Sequence, residues 1–330
     1  MLALVADIGG TNARFALTDL KAQTPNILHE KSLPAADFAS LQHAAEHYLS
    51  GVHSQPKFAA IAVASPVSAD EIRLTNRAWS FSQRELQAAL KLEKLMVLND
   101  FGAVAHAVTA FTDADRIVLY GDPNAELAGP ISVIGPGTGF GVALLVGGHR
   151  RADKVREWHV VETEGGHISY APLGEEEHAI ERWFTARFGR TSNERLLSGA
   201  GLSHIDAALS GVEHPSLQAA HLPLREAADI VAAALDGHDL LARKTLARFC
   251  AVLGSVAGDT ALIHGARTVV IAGGIVPRFI PFLRTSAFRE RFLAKGRFAA
   301  YLESVAIHVV THPHPGLLGA AVALRALEGF

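Results

Sequence analysis

The chain has 330 residues, with 30 Lys and Arg against 33 Asp and Glu for a formal net charge of -3. That length exceeds what one compact core usually takes, and 49% hydrophobic against 19% charged residues predicts two well-buried α/β domains and excludes a disordered chain. With no long basic block, neither a nucleic-acid nor a membrane-surface partner is expected.

Leu2–Ile8 and Ala13–Thr18 read as strands on either side of Gly9-Gly10-Thr11-Asn12. The first apolar run has no basic region before it and is interrupted by Asp7, so it does not read as a signal peptide. Phe38–Leu49 reads as a helix, Phe58–Val63 as a strand and Ser82–Leu90 as a helix. Leu95–Leu98 is a short strand ending at Asn99-Asp100, and Gly102–Ala110 reads as the next helix. A loop from Asn124 to Pro130 leads to two apolar runs, Ile131–Ile134 and Phe140–Val146, around Gly135-Pro136-Gly137-Thr138-Gly139. A mostly helical region follows: Glu175–Arg187, Asn193–Leu197, Leu224–Leu235 and a long pattern across His238–His264. Leu240 to Leu262 comes closest to a membrane span, but Arg243, Lys244, Arg248 and Asp259 interrupt it. Cys250, within it, is the one cysteine; it excludes an internal disulfide framework and a multi-cysteine zinc site, and a reducing cytoplasm is the simplest setting. Thr268–Ile271 is a buried strand followed by Ala272-Gly273-Gly274, Val305–Val310 is another strand, and Gly316–Leu327 is a final helix.

There is no low-complexity tract or short-period repeat. A strand–turn–strand unit with Gly-Thr at its turn does occur twice, about 125 residues apart. This predicts two related α/β lobes facing a cleft, with the last helix packing back on the first lobe.

Each motif has a plain structural reading beside a chemical one. Gly135 to Gly141 superficially matches the Gly-x-Gly-x-x-Gly dinucleotide fingerprint, but a strand follows it where that fingerprint needs a helix, so the dinucleotide reading is rejected. A glycine hairpin turn still offers backbone N–H groups to a phosphate, with a threonine hydroxyl as a further donor; the alternative is an ordinary tight turn. Asp7 is either a strand-end residue capping its turn or the holder of a hydrated Mg²⁺. In Asn99-Asp100, one residue can cap a helix while the other does chemistry. Glu164-Gly165-Gly166-His167 is either an exposed turn or an acid and an imidazole held for a ligand, and Glu194 can be an acid favoured in a helix's first turn. His43-Ala44-Ala45-Glu46-His47 matches a zinc-protease pattern, but in a chain with 17 histidines and no third ligand in view that reading is set aside. His312 and His314 read as structural.

Taken together, these motifs resemble the bacterial ATP-dependent glucokinase family. Asp7-Ile8-Gly9-Gly10-Thr11-Asn12-Ala13-Arg14-Phe15 is similar to its first phosphate motif. The resemblance continues through Leu74-Thr75-Asn76-Arg77-Ala78-Trp79, Leu98-Asn99-Asp100-Phe101, Gly135-Pro136-Gly137-Thr138-Gly139, Glu164-Gly165-Gly166-His167, Glu194-Arg195-Leu196-Leu197-Ser198-Gly199, Ala272-Gly273-Gly274-Ile275-Val276-Pro277 and Pro315-Gly316-Leu317-Leu318-Gly319. The resemblance implies a two-lobed α/β fold of the actin-like (ribonuclease H-like) sugar-kinase type. A small domain of residues 1–112 plus 313–330 and a large one of 113–312 would flank a cleft. It implies ATP, Mg²⁺ and D-glucose as ligands, glucose 6-phosphate as product, and a homodimer.

On this resemblance Gly9, Gly10, Thr11 and Asn12 hold the ATP phosphates from one side and Gly137 and Thr138 from the other, Gly137 and Thr138 also lying at the substrate. Gly273 and Gly274 sit near the nucleoside, and Asp7 positions Mg²⁺ through water. Asp100 is the general base, and Asn76, Asn99, Asp100, Glu164, His167 and Glu194 read the sugar hydroxyls. A kinase of another hexose or amino sugar, or a sugar-binding regulator without turnover, are the rival readings. Intact Asp100 and both glycine turns favour an enzyme over a regulator.

Overall fold

The structure, a computed structural model, describes residues 1–74, 79–122, 127–147, 158–210 and 224–328. Asn76 therefore lies outside the described residues, as does the start of the predicted loop at 124.

Strand alternation builds the first unit. In β1 (Leu2–Ile8), Leu4, Ala6 and Ile8 point into one core, and Ala3 and Val5 into another. β2 (Asn12–Asp19) divides likewise, Ala13, Phe15 and Leu17 against Ala16. β3 (Leu28–Pro34), α1 (Leu41–Gly51), β4 (Phe58–Val63), the short β5 (Glu71–Arg73) and β6 (Ser80–Ser82), α2 (Gln83–Ala89), β7 (Lys94–Asn99) and α3 (Asp100–Ala107) follow. The sheet order is β3-β2-β1-β4-β7, with antiparallel pairs at β3/β2 and β2/β1 and parallel pairs at β1/β4 and β4/β7. On the bulky face, Leu41, Ala44, Ala45 and Tyr48 of α1 pack over Leu4, Ile8 and Phe15, each large side chain contributing about 1.5–3 kcal/mol by leaving water. The other face is rich in alanine, Ala3, Ala16, Ala60 and Ala62 lying beside Val5 and Leu98.

The second unit repeats the plan. It contains β8 (Arg116–Tyr120), β9 (Ile131–Pro136), β10 (Phe140–Gly147), β11 (Trp158–Thr163, of which Val160–Glu162 group with the first unit), α4 (Gly174–Phe188), α5 (Asn193–Leu196), α6 (Gly199–Leu209), α7 (Ala227–Asp236) and α8 (Leu240–His264). Then come β12 (Thr268–Ile271), α9 (Ile280–Thr285), α10 (Phe288–Leu293), α11 (Ala299–Glu303) and β13 (Ala306–Val310). Its sheet runs β11-β10-β9-β12-β13-β8. The order β11-β10-β9-β12-β13 has the same connectivity as β3-β2-β1-β4-β7: an antiparallel hairpin, an outer strand, then parallel strands reached by helical crossovers. The doubled Gly-Thr unit in the sequence is thus a doubled topology. By length and composition α8 would qualify to cross a membrane, its charges notwithstanding. Fifteen of its positions are buried in the second unit's core instead, Leu246, Phe249 and Leu253 among them.

Finally α12 (Pro315–Glu328) returns to the first unit and covers the alanine face, Leu317, Ala320, Ala321 and Leu324 meeting Ala3, Val5, Ala60 and Ala62. Small side chains on both partners allow a close approach: a Cβ on Gly319 would fall 1.6 Å from the Ala103 carbonyl oxygen of α3. The compact units are Met1–Asp115, Val160–Glu162 and His312–Phe330 for the first, and Arg116–His159 and Thr163–Thr311 for the second.

Candidate active site

In the first unit, β1 and β2 pair up to Ile8↔Ala13, leaving Gly9, Gly10, Thr11 and Asn12 as the turn. The Gly9 amide donates to the Asn12 carbonyl at 3.0 Å, and Ala35 fastens the Thr11 carbonyl at 3.0 Å, so Gly10 and Thr11 form the tip. Asp7 stands directly across the ladder from Arg14, whose Nη1 is 3.6 Å from Asp7 Oδ2. The first turn of α12 seats on the same carboxylate: a Cβ on Gly316 would lie 2.9 Å from Asp7 Oδ2. Burial raises the Asp7 pKa, with Arg14 and His314 pulling the other way. Its side chain is still 23% exposed, so it is a half-covered, poorly hydrated carboxylate with one open side.

That environment fits Mg²⁺. Among the described residues no group of three His, Cys, Asp or Glu side chains could hold a metal. Mg²⁺ does not need such a cage, since it keeps several waters and takes one or two carboxylates plus substrate phosphates.

β7 ends at Asn99, which caps α3: its Oδ1 accepts from Phe101 N at 3.0 Å and from Gly102 N at 3.1 Å. Of the pair, Asn99 is the residue that caps the helix, while Asp100 Oδ1 accepts from Phe101 N at 2.7 Å. Asn99 caps with its carbonyl oxygen, which leaves its side-chain NH₂ as the group for a ligand. Asp100 is the first residue of the helix, half-buried, at the carboxyl end of a parallel strand. Sequence reasoning missed Glu162, whose Oε1 accepts from the Asn99 backbone N–H at 3.1 Å.

In the second unit, β9 and β10 pair up to Pro136↔Phe140, and Gly137-Thr138-Gly139 forms a turn closed by Gly137 N donating to the Gly139 carbonyl at 2.8 Å. This turn is one residue tighter than the first. Glu164-Gly165-Gly166-His167 is a single helical turn lying on β10, close enough that a Cβ on Gly166 would fall 2.0 Å from the Phe140 carbonyl oxygen. That close approach brings the sequence-predicted polar residues together. His167 Nε2 is 3.7 Å from Glu164 Oε2, and its Nδ1 is 3.7 Å from Glu194 Oε1. Glu194 does lie in the first turn of α5, which Ser192 caps, but its carboxylate reaches out of the helix to accept the Phe140 N–H at 3.0 Å. Tyr170 N donates to Thr191 O at 3.1 Å, Asn193 N to Ile168 O at 3.0 Å, and Arg190 Nη1 to His167 O at 2.8 Å, tying the two loops together. Beneath them the buried Glu177 carboxylate holds Leu173 N at 2.8 Å and both Arg291 Nη atoms, and accepts from the Tyr170 hydroxyl.

The glycine pair after β12 divides in role. Gly273 has φ +92°, and a Cβ there would be 2.3 Å from the Pro136 carbonyl oxygen, so the chain's own packing requires glycine. Gly274 faces open space. His312 and His314 are engaged within the fold, His314 Nε2 lying 3.3 Å from Glu30 Oε2 and the His312 ring accepting the His314 amide at 3.1 Å.

The family model described as Glucokinase matches residues 4–327. A glucokinase of Neisseria meningitidis is 42% identical over 325 residues, which is 97% of this chain and 94% of that protein. The crystal structure of a glucokinase from an Antarctic psychrotroph superposes with a TM-score of 0.82 at 37% identity, covering 98% of this chain and 99% of that one. A ROK-family glucokinase from Streptomyces griseus, solved with glucose and AMPPNP, shares the fold at a TM-score of 0.64 and 20% identity, over 99% of this chain and 100% of that one. The two lobes of repeated topology are those of the two-lobed α/β actin-like sugar-kinase fold. With a family model spanning nearly every residue and relatives aligned end to end, the chain belongs to the glucokinase family.

Proposed function

We propose that this protein transfers the γ-phosphoryl group of ATP to the 6-hydroxyl of D-glucose, giving glucose 6-phosphate and ADP. The observation that carries the reading is the Glu194 carboxylate. One oxygen takes the amide just after the second glycine turn and the other faces His167, so groups suited to hydroxyls adjoin groups suited to phosphates.

In this reading the small domain, 1–112 with 313–330, supplies Asp7, Gly9, Gly10, Thr11, Asn12, Asn76, Asn99 and Asp100. The large domain, 113–312, supplies Gly137, Thr138, Glu164, His167, Glu194, Gly273 and Gly274. The turn amides cradle phosphate oxygens. Asn76, Asn99, Glu164, His167 and Glu194 orient the sugar, and Asp100 accepts the 6-hydroxyl proton as the oxygen bonds to the γ-phosphorus. The bond from that phosphorus to the bridging oxygen breaks, and its electron pair leaves with ADP. Alignment and charge neutralisation carry most of such a reaction, and a general base adds about 10²–10⁴-fold. Mg²⁺ would be held by Asp7 through water and would neutralise phosphate charge.

The homodimer is carried over from the family resemblance and the cytoplasmic setting from the single cysteine; sedimentation at working concentration tests the dimer. Coupled assays with ATP, Mg²⁺ and a panel of hexoses test the function. Glucose-dependent ADP release is expected. Absence of turnover of any hexose with ATP, polyphosphate or ADP overturns the reading.

A further inference from the structure

α3 begins at a cap whose own N–H is satisfied from far along the chain. In a capping box, the N-cap residue has its backbone N–H satisfied by a Glu or Gln three residues later. Here the cap is Asn99 and the third helical position is Gly102, which has no side chain to return. Glu162 fills both vacancies from far along the chain, 63 residues beyond Asn99. Its Oε1 accepts the Asn99 N–H at 3.1 Å, and the same atom lies 2.3 Å from where a Cβ on Gly102 would stand. The capping-box carboxylate is supplied in trans, through the space that glycine leaves.

We propose that Glu162 is a positioning residue for phosphoryl transfer. It fixes the backbone at Asn99, from which Asp100 projects, and so holds the proton acceptor in line with the sugar hydroxyl. The inference rests on the reading of Asp100 as the base. Two observations separate this role from general support of the fold. Glu162 is exposed, so it contributes little to the core. The backbone it grips joins the two residues proposed to face the sugar. In the chain Glu162 also lies two residues before Glu164, with Thr163 between them anchored by its Oγ1 to the Val142 carbonyl at 2.7 Å.

The test is a swap of the carboxylate between the two positions. Glu162→Ala should lower kcat about tenfold or more, because small misplacements of reacting groups are expensive, while KM for ATP stays put. Glu162→Gln keeps an acceptor oxygen and should stay within about threefold of the parent. Gly102→Glu alone should be harmful, since two carboxylates would compete for one space. Combined with Glu162→Ala it should restore kcat by supplying the missing group in cis. Gly102→Ala provides a check independent of folding: alanine favours the helix by about as much as any residue, yet its methyl displaces the Glu162 carboxylate, so kcat should fall with no loss of melting temperature. The proposal is overturned if Glu162→Ala keeps kcat within twofold, if the double variant is no better than Glu162→Ala, or if Gly102→Ala is fully active. An Asp100→Asn enzyme with parental kcat would instead overturn the reading of the base, so the two failures are told apart.

Discussion

Glu194 Oε2 accepts the backbone N–H of Phe140 at 3.0 Å, while its Oε1 faces the His167 ring at 3.7 Å. One carboxylate therefore braces the end of a glycine turn and borders the His167 ring, which in turn faces Glu164. Crowding enforces the arrangement, since a Cβ on Gly139 would lie 2.5 Å from the same oxygen.

Sugar choice should depend on this cluster. A hydroxyl inverted at one carbon leaves a desolvated partner unpaired, at about 1–3 kcal/mol for a neutral group and more for a carboxylate. Sites built to hydrogen-bond a hydroxyl can discriminate by roughly 10⁴-fold. Glucose should therefore greatly exceed galactose in kcat/KM. Glu194→Ala and His167→Ala should chiefly raise KM for glucose and narrow that ratio. Equal kcat/KM for the two sugars, or a ratio unchanged in both variants, would refute the assignment.

Asp100→Asn preserves shape but removes the proton acceptor. Asn99, not Asp100, caps α3 with a side-chain oxygen two and three residues ahead, so the helix should survive the change. Glucose binding, followed by calorimetry, should be largely retained while kcat falls by about 10²-fold or more. A variant near parental kcat would remove Asp100 from the mechanism.

The pH dependence of stability should carry a signature of His308. This residue lies in β13 at 2% exposure, its Nδ1 has no hydrogen-bond partner, and burial, helped by Arg116, lowers its pKa to about 4. The unfolded chain takes up this proton near pH 6.5, and the folded one only near 4. The neutral-ring contribution is therefore complete above pH 6.5 and is lost as pH falls from 6.5 to 4, by on the order of 3 kcal/mol. Urea unfolding at stepped pH should show that slope in the parent and a flatter curve in His308→Phe. Parallel curves would mean that the ring is not buried neutral.

What the sequence made legible follows from physics. The hairpin strands β1, β2, β9 and β10 carry dense apolar runs because both their faces are covered, and their glycine turns punctuate those runs. The outer strands β3, Leu-His-Glu-Lys-Ser-Leu-Pro, and β11, Trp-His-Val-Val-Glu-Thr, went unread. Neither is fully covered, so their patterns are mostly exposed or half-exposed and look like loop. α6 was hidden by the glycines at its start, and the predicted helix Gly102–Ala110 begins two residues earlier, at Asp100. Of the site, Glu164, His167 and Glu194 could be named from motifs, but their meeting depends on Gly166 lying against Phe140. Glu162 belongs to no motif, because its partner is 63 residues away. The local hint was a glycine at the third position after an N-cap Asn, where a capping box would place an acid or amide.

The alanine face of the first sheet has a consequence for synthesis. β7, the last strand of that sheet, ends at residue 99, while α12, which covers Ala3, Val5, Ala60 and Ala62, starts at residue 315. On the ribosome the whole second unit emerges between them. At about 5–20 residues per second, the first sheet waits on the order of 10–40 s with one apolar face covered only by α3. Domains made first usually finish first; here the earliest strands are completed only by the latest helix. The nascent chain therefore offers a chaperone a defined surface for a defined interval, and slower translation of the second unit lengthens the exposure of the first.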